Sequence, residues 1–341
     1  MNKTNIGIIG LGYWGPNYVR VFNEIPDSQV RYCCDINDTK LEYMRNVNQL
    51  IGVTSNYRDL VYNPNVDAVV VSTPASTHYE MVKECLEYGK DVLVEKPFTL
   101  SSRDAEELVV LARKKERVLM VGHTFIYNPA FCELKRLASS GDLGGIYYLH
   151  FSRTGLGPIR KDVNVMWDLA PHDLSMLLHL VEEMPVRVSA RGQSYLQEGI
   201  EDVVFMTLDL PNGVLAGVHA SWLDPYKIRE VTVVGSKKMA VFDDVEKLET
   251  LKIFDKGVER SGEKIYAGYG EFQLSVRDGD IRIPKIEPGE PLKNQCKHFL
   301  ECITKRKEPI TGGEEGLKVV QILEAAQKSL GSNGVPISVY P

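Results

Sequence analysis

The chain has 341 residues, about twice a typical domain, so two domains are expected and a small scaffold stapled by disulfides or a metal is excluded. Forty basic against 46 acidic side chains leave a formal net charge of −6, which argues against a general nucleic-acid binder, because that task needs a basic stripe to displace counterions. With 43% hydrophobic and 25% charged residues, no low-complexity tract and no run of eighteen apolar residues, the composition is that of a folded cytoplasmic protein without a membrane-crossing helix.

The first apolar run, within residues 1–12, is broken by glycines and followed by an aromatic-proline turn, so it reads as a buried strand and not as a signal peptide. Further β-branched runs occupy residues 30–34, 68–71, 92–94 and 118–121, separated by longer amphipathic stretches. Unalternating runs of this kind are buried on both faces, as parallel strands covered by helices are. Residues 1–122 are therefore expected to form a doubly wound α/β domain. Within it, Ser101 and Asp104 have capping-box spacing ahead of Leu108, Val109 and Leu111.

From residue 123 the texture changes. Residues 128–139 read as a helix, and two-residue alternation follows from Ile146. Met206, Leu208 and Leu210 alternate with Phe205, Thr207 and Asp209 before Pro211-Asn212-Gly213, a hairpin signal leading into residues 214–222. A second hairpin joins residues 231–234 and 239–242, and residues 292–304 and 314–330 read as helices. Residues 123–341 are expected to form a second α/β domain on a mainly antiparallel open sheet, with the C-terminal helices packing back on the first domain.

Three stretches carry chemistry. After the first strand come Gly10-Leu11-Gly12-Tyr13-Trp14-Gly15 and then Pro16 at a first helical position. Glycines there let the backbone approach a pyrophosphate, and the helix amino terminus offers N–H groups and positive dipole charge. Asp35 closes the second strand twenty positions beyond Gly15, where a carboxylate accepts both adenosine ribose hydroxyls. A 2′-phosphate about 4 Å away would meet repulsion of about 4 kcal/mol per charge pair at an effective dielectric near 20, so NAD is favoured over NADP. Lys40 softens that repulsion, and Asp35 has the alternative of a turn or capping residue.

The strand ends Ser72-Thr73-Pro74 and Glu95-Lys96-Pro97 should face the ligand cleft, because open α/β sheets bind at their carboxyl ends. Lys96 would lie near the nicotinamide, its alternative being a surface lysine in a turn. His78, opening the next helix, packs or caps and could touch the cofactor. In the second domain Pro171 is taken as tolerated only in a first helical turn, which places Asp168 near the N-cap and lets it share a face with His172. The plain alternative is a capping aspartate beside a core histidine. No metal is expected: the seven histidines are scattered without H-E-x-x-H, and the six cysteines, Cys33, Cys34, Cys85, Cys132, Cys296 and Cys302, show no C-x-x-C pair and read as free thiols.

These segments, in this order, resemble the glucose-fructose oxidoreductase / inositol dehydrogenase / MocA family over essentially the whole chain. The resemblance implies a Rossmann domain joined to an α/β domain whose open sheet supports dimers or tetramers. It also implies a catalytic trio at Lys96, Asp168 and His172, and a cis peptide before Pro97. The stretch Arg153-Thr154-Gly155-Leu156-Gly157-Pro158-Ile159-Arg160, with Asn164 and with Lys227 and Arg229, further resembles the subgroup that oxidises the 3-hydroxyl of UDP-N-acetylglucosamine or its uronic acid. Arg153, Arg160, Lys227 and Arg229 suit a diphosphate or carboxylate, although each alone could be a solvated sheet-edge charge.

For the proton acceptor, an ordinary lysine near pKa 10.4 would have to lose about 4 kcal/mol of proton affinity to be neutral near pH 7.4, whereas a histidine near 6.5 is neutral already. His172 is thus the expected base, oriented by Asp168, with Lys96 holding the reacting oxygen; a lysine base stays open. A free-sugar or cyclic polyol dehydrogenase and a non-catalytic dinucleotide sensor are the competing readings.

Overall fold

The computed structural model describes residues 3–260 and 274–340. The chain divides into two compact units, one made of Met1–Asn128 and Gly289–Glu324, the other of Pro129–Pro288 and Ala325–Pro341.

The first unit holds strands β1 (Thr4–Ile9), β2 (Ser28–Cys34), β3 (Gly52–Thr54), β4 (Ala68–Val71), β5 (Asp91–Val94) and β6 (Leu119–Val121). They pair in parallel in the order β3-β2-β1-β4-β5-β6, the arrangement of two mononucleotide-binding halves meeting between β1 and β4. Every residue of β4 and β5 is buried, which explains their unalternating sequences. Strand β3 has no apolar run to announce it: three residues starting with a glycine, all only partly buried. The helices between the strands are α1 (Gly15–Glu24), α2 (Asp38–Val47), the single turn α3 (Arg58–Val61), α4 (His78–Glu87) and α5 (Ser102–Lys114). Helix α5 starts where its capping signal stands, Ser101 Oγ accepting from the Asp104 N–H. The outer side of β6 is tied to a later segment: Val121 N–H donates to the Thr311 carbonyl at 2.8 Å, and Thr311 Oγ1 donates back to the Val121 carbonyl at 2.9 Å.

The second unit starts with α6 (Pro129–Ser139), β7 (Ile146–Thr154) and α7 (Val165–Val181). Its strands continue as β8 (Arg187–Gln193), β9 (Val203–Asp209), β10 (Leu215–Ser221), β11 (Ile228–Gly235), β12 (Met239–Asp243), β13 (Leu251–Phe254), β14 (Gly257–Arg260), β15 (Leu274–Arg277) and β16 (Ile281–Arg282), and close with β17 (Ile337–Ser338). Nine of them form one sheet ordered β16-β13-β12-β11-β7-β10-β9-β8-β17. All neighbours are antiparallel except β7 and β10, so the sheet is mixed and mostly antiparallel. The β9–β10 hairpin turns at Asn212 and Gly213, whose φ values of +61° and +79° are those that asparagine and glycine tolerate best.

Helix α7 corrects the sequence reading. Its N-cap is Asn164, whose Oδ1 accepts from the Trp167 N–H at 3.1 Å, so Asp168 lies in the first turn, four residues after the cap, and Pro171 sits in the helix interior. A proline was expected only in a first turn; here its ring is carried inside a helix buried almost all round, where packing outweighs a cost of about 3 kcal/mol. Two long-range bonds set the helix against the sheet. Asp173 takes a two-pronged bond from the Arg153 guanidinium on β7, Nε and Nη2 both near 3 Å from Oδ1, and Asp168 takes one from Trp222 just beyond β10.

The C-terminal helices are α8 (Pro291–Lys305), which belongs to the first unit and contacts α1, and α9 (Gly313–Gly331), within which the division between units falls. The first unit thus runs on to Asn128. No helix of the described residues is long and apolar enough to cross a membrane.

The side chains of Arg153 and Asp173 are 6% and 1% exposed, so the pair is held out of water. Asp173→Ala removes this carboxylate from a buried guanidinium and is expected to destabilise the protein by about 3–5 kcal/mol, read as a lower denaturation midpoint in urea.

Candidate functional site

In the first unit the turn from β1 to α1 is built by close approach. Gly10 has φ +94°, and a Cβ there would stand 2.6 Å from the Ser72 carbonyl oxygen; a Cβ on Gly15 would stand 2.1 Å from the Gly10 carbonyl oxygen. Only glycine fits either place. Gly12 differs, since a Cβ there meets nothing within 4 Å and would project into open space. Helix α1 opens with no side-chain cap and no acidic residue in its first turn, so its positive end is uncompensated by the chain. Tyr13 is exposed and meets Trp14 edge to face.

Asp35 stands directly beyond β2. Its Oδ2 accepts from the Leu11 N–H at 2.7 Å and lies 3.3 Å from Lys40 Nζ, while Oδ1 accepts from the Asn37 N–H at 2.9 Å. Asp35 does not cap α2, whose N-cap is Asn37, but its Oδ1 bond to the N–H two residues on is the turn role of the plain alternative. Ser72 Oγ lies 2.8 Å from the Gly10 carbonyl, so this side chain braces the glycine turn, and Thr73 Oγ1 is 2.7 Å from Thr77 Oγ1. Pro74 leads into the short turn before α4.

His78 is buried, with Nδ1 2.9 Å from the Pro97 carbonyl and Nε2 3.0 Å from the Thr73 carbonyl, fastening the end of β4 to the end of β5. The Lys96–Pro97 peptide is cis. Glu95 turns inward: Oε1 accepts from the Tyr18 hydroxyl at 2.7 Å and Oε2 from the Lys96 N–H at 3.2 Å. Burial raises its carboxyl above the usual range, with Tyr18 and Lys96 pulling the other way. Gln295 of α8 completes this buried chain by donating to the Tyr18 hydroxyl at 3.1 Å.

One residue was passed over in the sequence. His123, at the end of β6, is 1% exposed, and neither ring nitrogen has a hydrogen-bond partner. Burial first, and the Lys96 charge second, push its pKa down to about 3. The available signal was positional, since Gly122-His123 follows an apolar strand as Glu95-Lys96 follows β5.

In the second unit, Asp168 and His172 stand one turn apart on α7, His172 buried and Asp168 partly buried. Asp168 Oδ2 accepts from Trp222 Nε1 at 3.2 Å, and Oδ1 lies 3.5 Å from Arg160 Nη1. Arg160 also binds Asp162 through Nε and Nη2 at 2.9 and 2.6 Å, holding that carboxyl below its usual range. Arg229 lies 3.2 Å from Asp244. Lys227 is exposed, its stem beside Gly155. Asn164 is committed to its cap and to Glu201 and Gln327. Three of the four cations expected to bind substrate, Arg153, Arg160 and Arg229, therefore carry a carboxylate partner, and the Arg153 pair is buried. The pairings of Arg153 with Asp173, of Arg229 with Asp244 and of Trp222 with Asp168 were not legible in the sequence, because each joins residues from different parts of the chain.

Two family models match the chain: an oxidoreductase family with NAD-binding Rossmann fold over residues 4–123, and a GFO/IDH/MocA C-terminal domain over residues 131–241. The chain belongs to the Gfo/Idh/MocA oxidoreductase family. The myo-inositol 2-dehydrogenase of Thermotoga maritima is 26% identical over 338 residues, 95% of this chain and 96% of that one. The UDP-N-acetylglucosamine 3-dehydrogenase of Acidithiobacillus ferrooxidans is 28% identical over 256 residues, 75% and 76% of the two chains. A solved structure of the latter superposes with a TM-score of 0.80 at 24% identity, covering 97% and 99%, a likeness of fold.

This Gfo/Idh/MocA protein is thus an NAD-binding oxidoreductase with sugar-type dehydrogenases acting on CH–OH groups among its relatives. The residues present fit the cofactor: Gly12 leaves the space a pyrophosphate needs, the α1 amino terminus is uncapped, and Asp35 presents a carboxylate at the end of β2. Since a side chain at Gly12 fills that space without touching the protein, Gly12→Val is expected to weaken NAD binding by about 100-fold or more at an unchanged melting temperature, whereas Gly15→Ala should lower the melting temperature as well. Calorimetric titration with NAD and thermal unfolding check both.

Proposed function

We propose that this enzyme oxidises the 3-hydroxyl of UDP-N-acetylglucosamine, or of its uronic acid, to a 3-keto nucleotide sugar for amino-sugar and polysaccharide biosynthesis. The observation that carries the reading is the Asp168–His172 pair on α7, with Asp168 anchored by Trp222 and Arg160. An imidazole one turn from a fixed carboxylate is suited to take a hydroxyl proton near neutral pH, because the carboxylate stabilises the cation that forms. His172 is the base in this proposal, Asp168 its stabiliser, and Lys96 the donor of a charged hydrogen bond to the reacting oxygen. Bound NAD supplies the hydride acceptor. Asp35 receives the adenosine ribose hydroxyls, on the lone pairs that Leu11, Asn37 and Lys40 leave available.

For the nucleotide, Lys227 together with Arg160 and Arg229 at the unit surface supplies cations for a diphosphate, while Arg153, buried on Asp173, takes no part. The 28% identity to a UDP-N-acetylglucosamine 3-dehydrogenase supports this choice of sugar. A cyclitol is the second reading, favoured by the near full-length likeness to a myo-inositol 2-dehydrogenase and by the carboxylates already on the arginines. The exposed Tyr148, Phe205 and Leu215 on one face of the nine-stranded sheet support a homo-oligomer formed through that face.

UDP-N-acetylglucosamine and myo-inositol offered side by side with NAD, followed at 340 nm, decide between the readings: the nucleotide sugar is expected to be turned over, and turnover of inositol alone removes the proposal. His172→Asn and Lys96→Met are each expected to lower kcat by about 100-fold or more, and unimpaired turnover in the histidine variant sinks the assignment of the base. Asp35→Ser is expected to raise kcat/KM for NADP relative to NAD by about tenfold or more; an unchanged ratio removes the ribose contact.

A further inference from the structure

A dinucleotide with its pyrophosphate at the start of α1 spans both halves of a doubly wound sheet, one nucleoside over β1–β3 and the other over β4–β6. With the adenosine at Asp35, the placement proposed above on which this inference rests, the nicotinamide falls at the carboxyl ends of β4, β5 and β6. Neighbouring strands stand about 4.8 Å apart, so these three ends span about 10 Å. Glu95 directly follows the middle strand, β5.

Glu95 is only 6% exposed. Tyr18 of α1 donates to its Oε1 at 2.7 Å, the Lys96 N–H donates to its Oε2 at 3.2 Å, and a Cβ on Gly122 would lie 3.3 Å from either oxygen. The carboxyl group is thus wedged between α1 and the end of β6. The Tyr18 hydroxyl accepts from Gln295 Nε2 at 3.1 Å and has a single hydrogen, which therefore goes to Glu95. Both Glu95 oxygens accept, the pattern of an ionised carboxylate; a carboxylic acid would have to donate one of these bonds. Burial opposes that charge, while Tyr18 and Lys96 favour it. A charge held out of water is screened little by salt, so its field reaches further than that of a surface carboxylate.

The two forms of the cofactor share their phosphates and differ by one charge on the nicotinamide ring, which is cationic when oxidised and neutral when reduced. We infer that Glu95 discriminates between them: its carboxylate favours the oxidised, cationic ring over the reduced, neutral one and so sets the relative affinity for NAD and NADH. Unit charges about 10 Å apart at an effective dielectric near 20 shift such an equilibrium by about tenfold. Lys96 contributes to the same field whether or not residue 95 is charged, so replacing Glu95 isolates the carboxylate.

The test uses the full-length enzyme with Glu95→Gln, which removes the charge at nearly constant volume, and Glu95→Asp, which keeps it. The glutamine is accommodated by a half-turn of the Gln295 amide, whose Oε1 has no hydrogen-bond partner among the described residues. Tyr18 then donates to that oxygen and accepts from the new amide. Dissociation constants for NAD and NADH are measured by calorimetric titration. The ratio Kd(NAD)/Kd(NADH) is expected to rise about tenfold in Glu95→Gln and to stay near the wild-type value in Glu95→Asp. An unchanged ratio in Glu95→Gln overturns the inference. An equal rise in both variants also overturns it, because the cause is then the altered Tyr18 bond and not the charge. Should Glu95→Gln not fold, Glu95→Met makes the same comparison.

ADP-ribose, which lacks the nicotinamide, is expected to bind the wild type and Glu95→Gln alike; a loss as large as that for NAD overturns the inference, since the whole cofactor site is then disturbed. A tenfold rise in the ratio alongside an unmoved NADP preference in Asp35→Ser removes the ribose contact at Asp35 and leaves the role of Glu95 standing. No sugar enters these titrations, so a wild type that oxidises none overturns the proposed function alone.

Discussion

The tight passage of the chain from β1 into α1 is the constraint on which the cofactor site depends. Gly10 is held from three sides: its N–H donates to the Cys34 carbonyl, its own carbonyl meets Ser72 Oγ, and Gly15 presses on it so closely that no side chain fits between. The Leu11 N–H then reaches Asp35. These bonds gather the carboxyl ends of β1, β2 and β4 into one rigid edge, with Gly12 left open and the α1 amino terminus uncapped. The position of Asp35, and hence any preference between the two nicotinamide dinucleotides, follows from the same crowding.

The second unit solves a similar problem by different means. Helix α7 has little polar surface to orient it and carries a proline in its interior, so its placement is specified by a few polar bonds in an apolar setting. Arg153 to Asp173 ties it to β7, Trp222 to Asp168 ties it to the end of β10, and Asn164 ties its start to Glu201 and Gln327. Charges of this kind contribute less to net stability than to uniqueness of position. The same Trp222 bond that orients the helix also fixes the carboxylate beside His172.

Much of this was legible in the sequence, for reasons that can be named. Parallel strands buried on both faces declare themselves by apolar runs, and the two hairpins declare themselves by their turns. The glycine spacing shows because no other residue survives there. Strand β3 was hidden by its shortness, and the start of α7 by a proline read as a helix-start marker, although Asn164 stood at the true cap. The pairing of Arg153 with Asp173 and of Arg229 with Asp244 is a tertiary fact that residue type alone cannot reveal, so cations read as ligand-binding groups proved to have carboxylate partners. His123 was missed because a lone histidine after a glycine carries no motif; only burial without a partner marks it.

The proposed function requires hydride to leave C3 of the nucleotide sugar for the cofactor of this Gfo/Idh/MocA enzyme. Mass spectrometry of the NADH formed from UDP-N-acetylglucosamine deuterated at C3 follows that transfer atom by atom. The deuterium is expected in the reduced cofactor; NADH formed without it, or no NADH at all, overturns the proposed function.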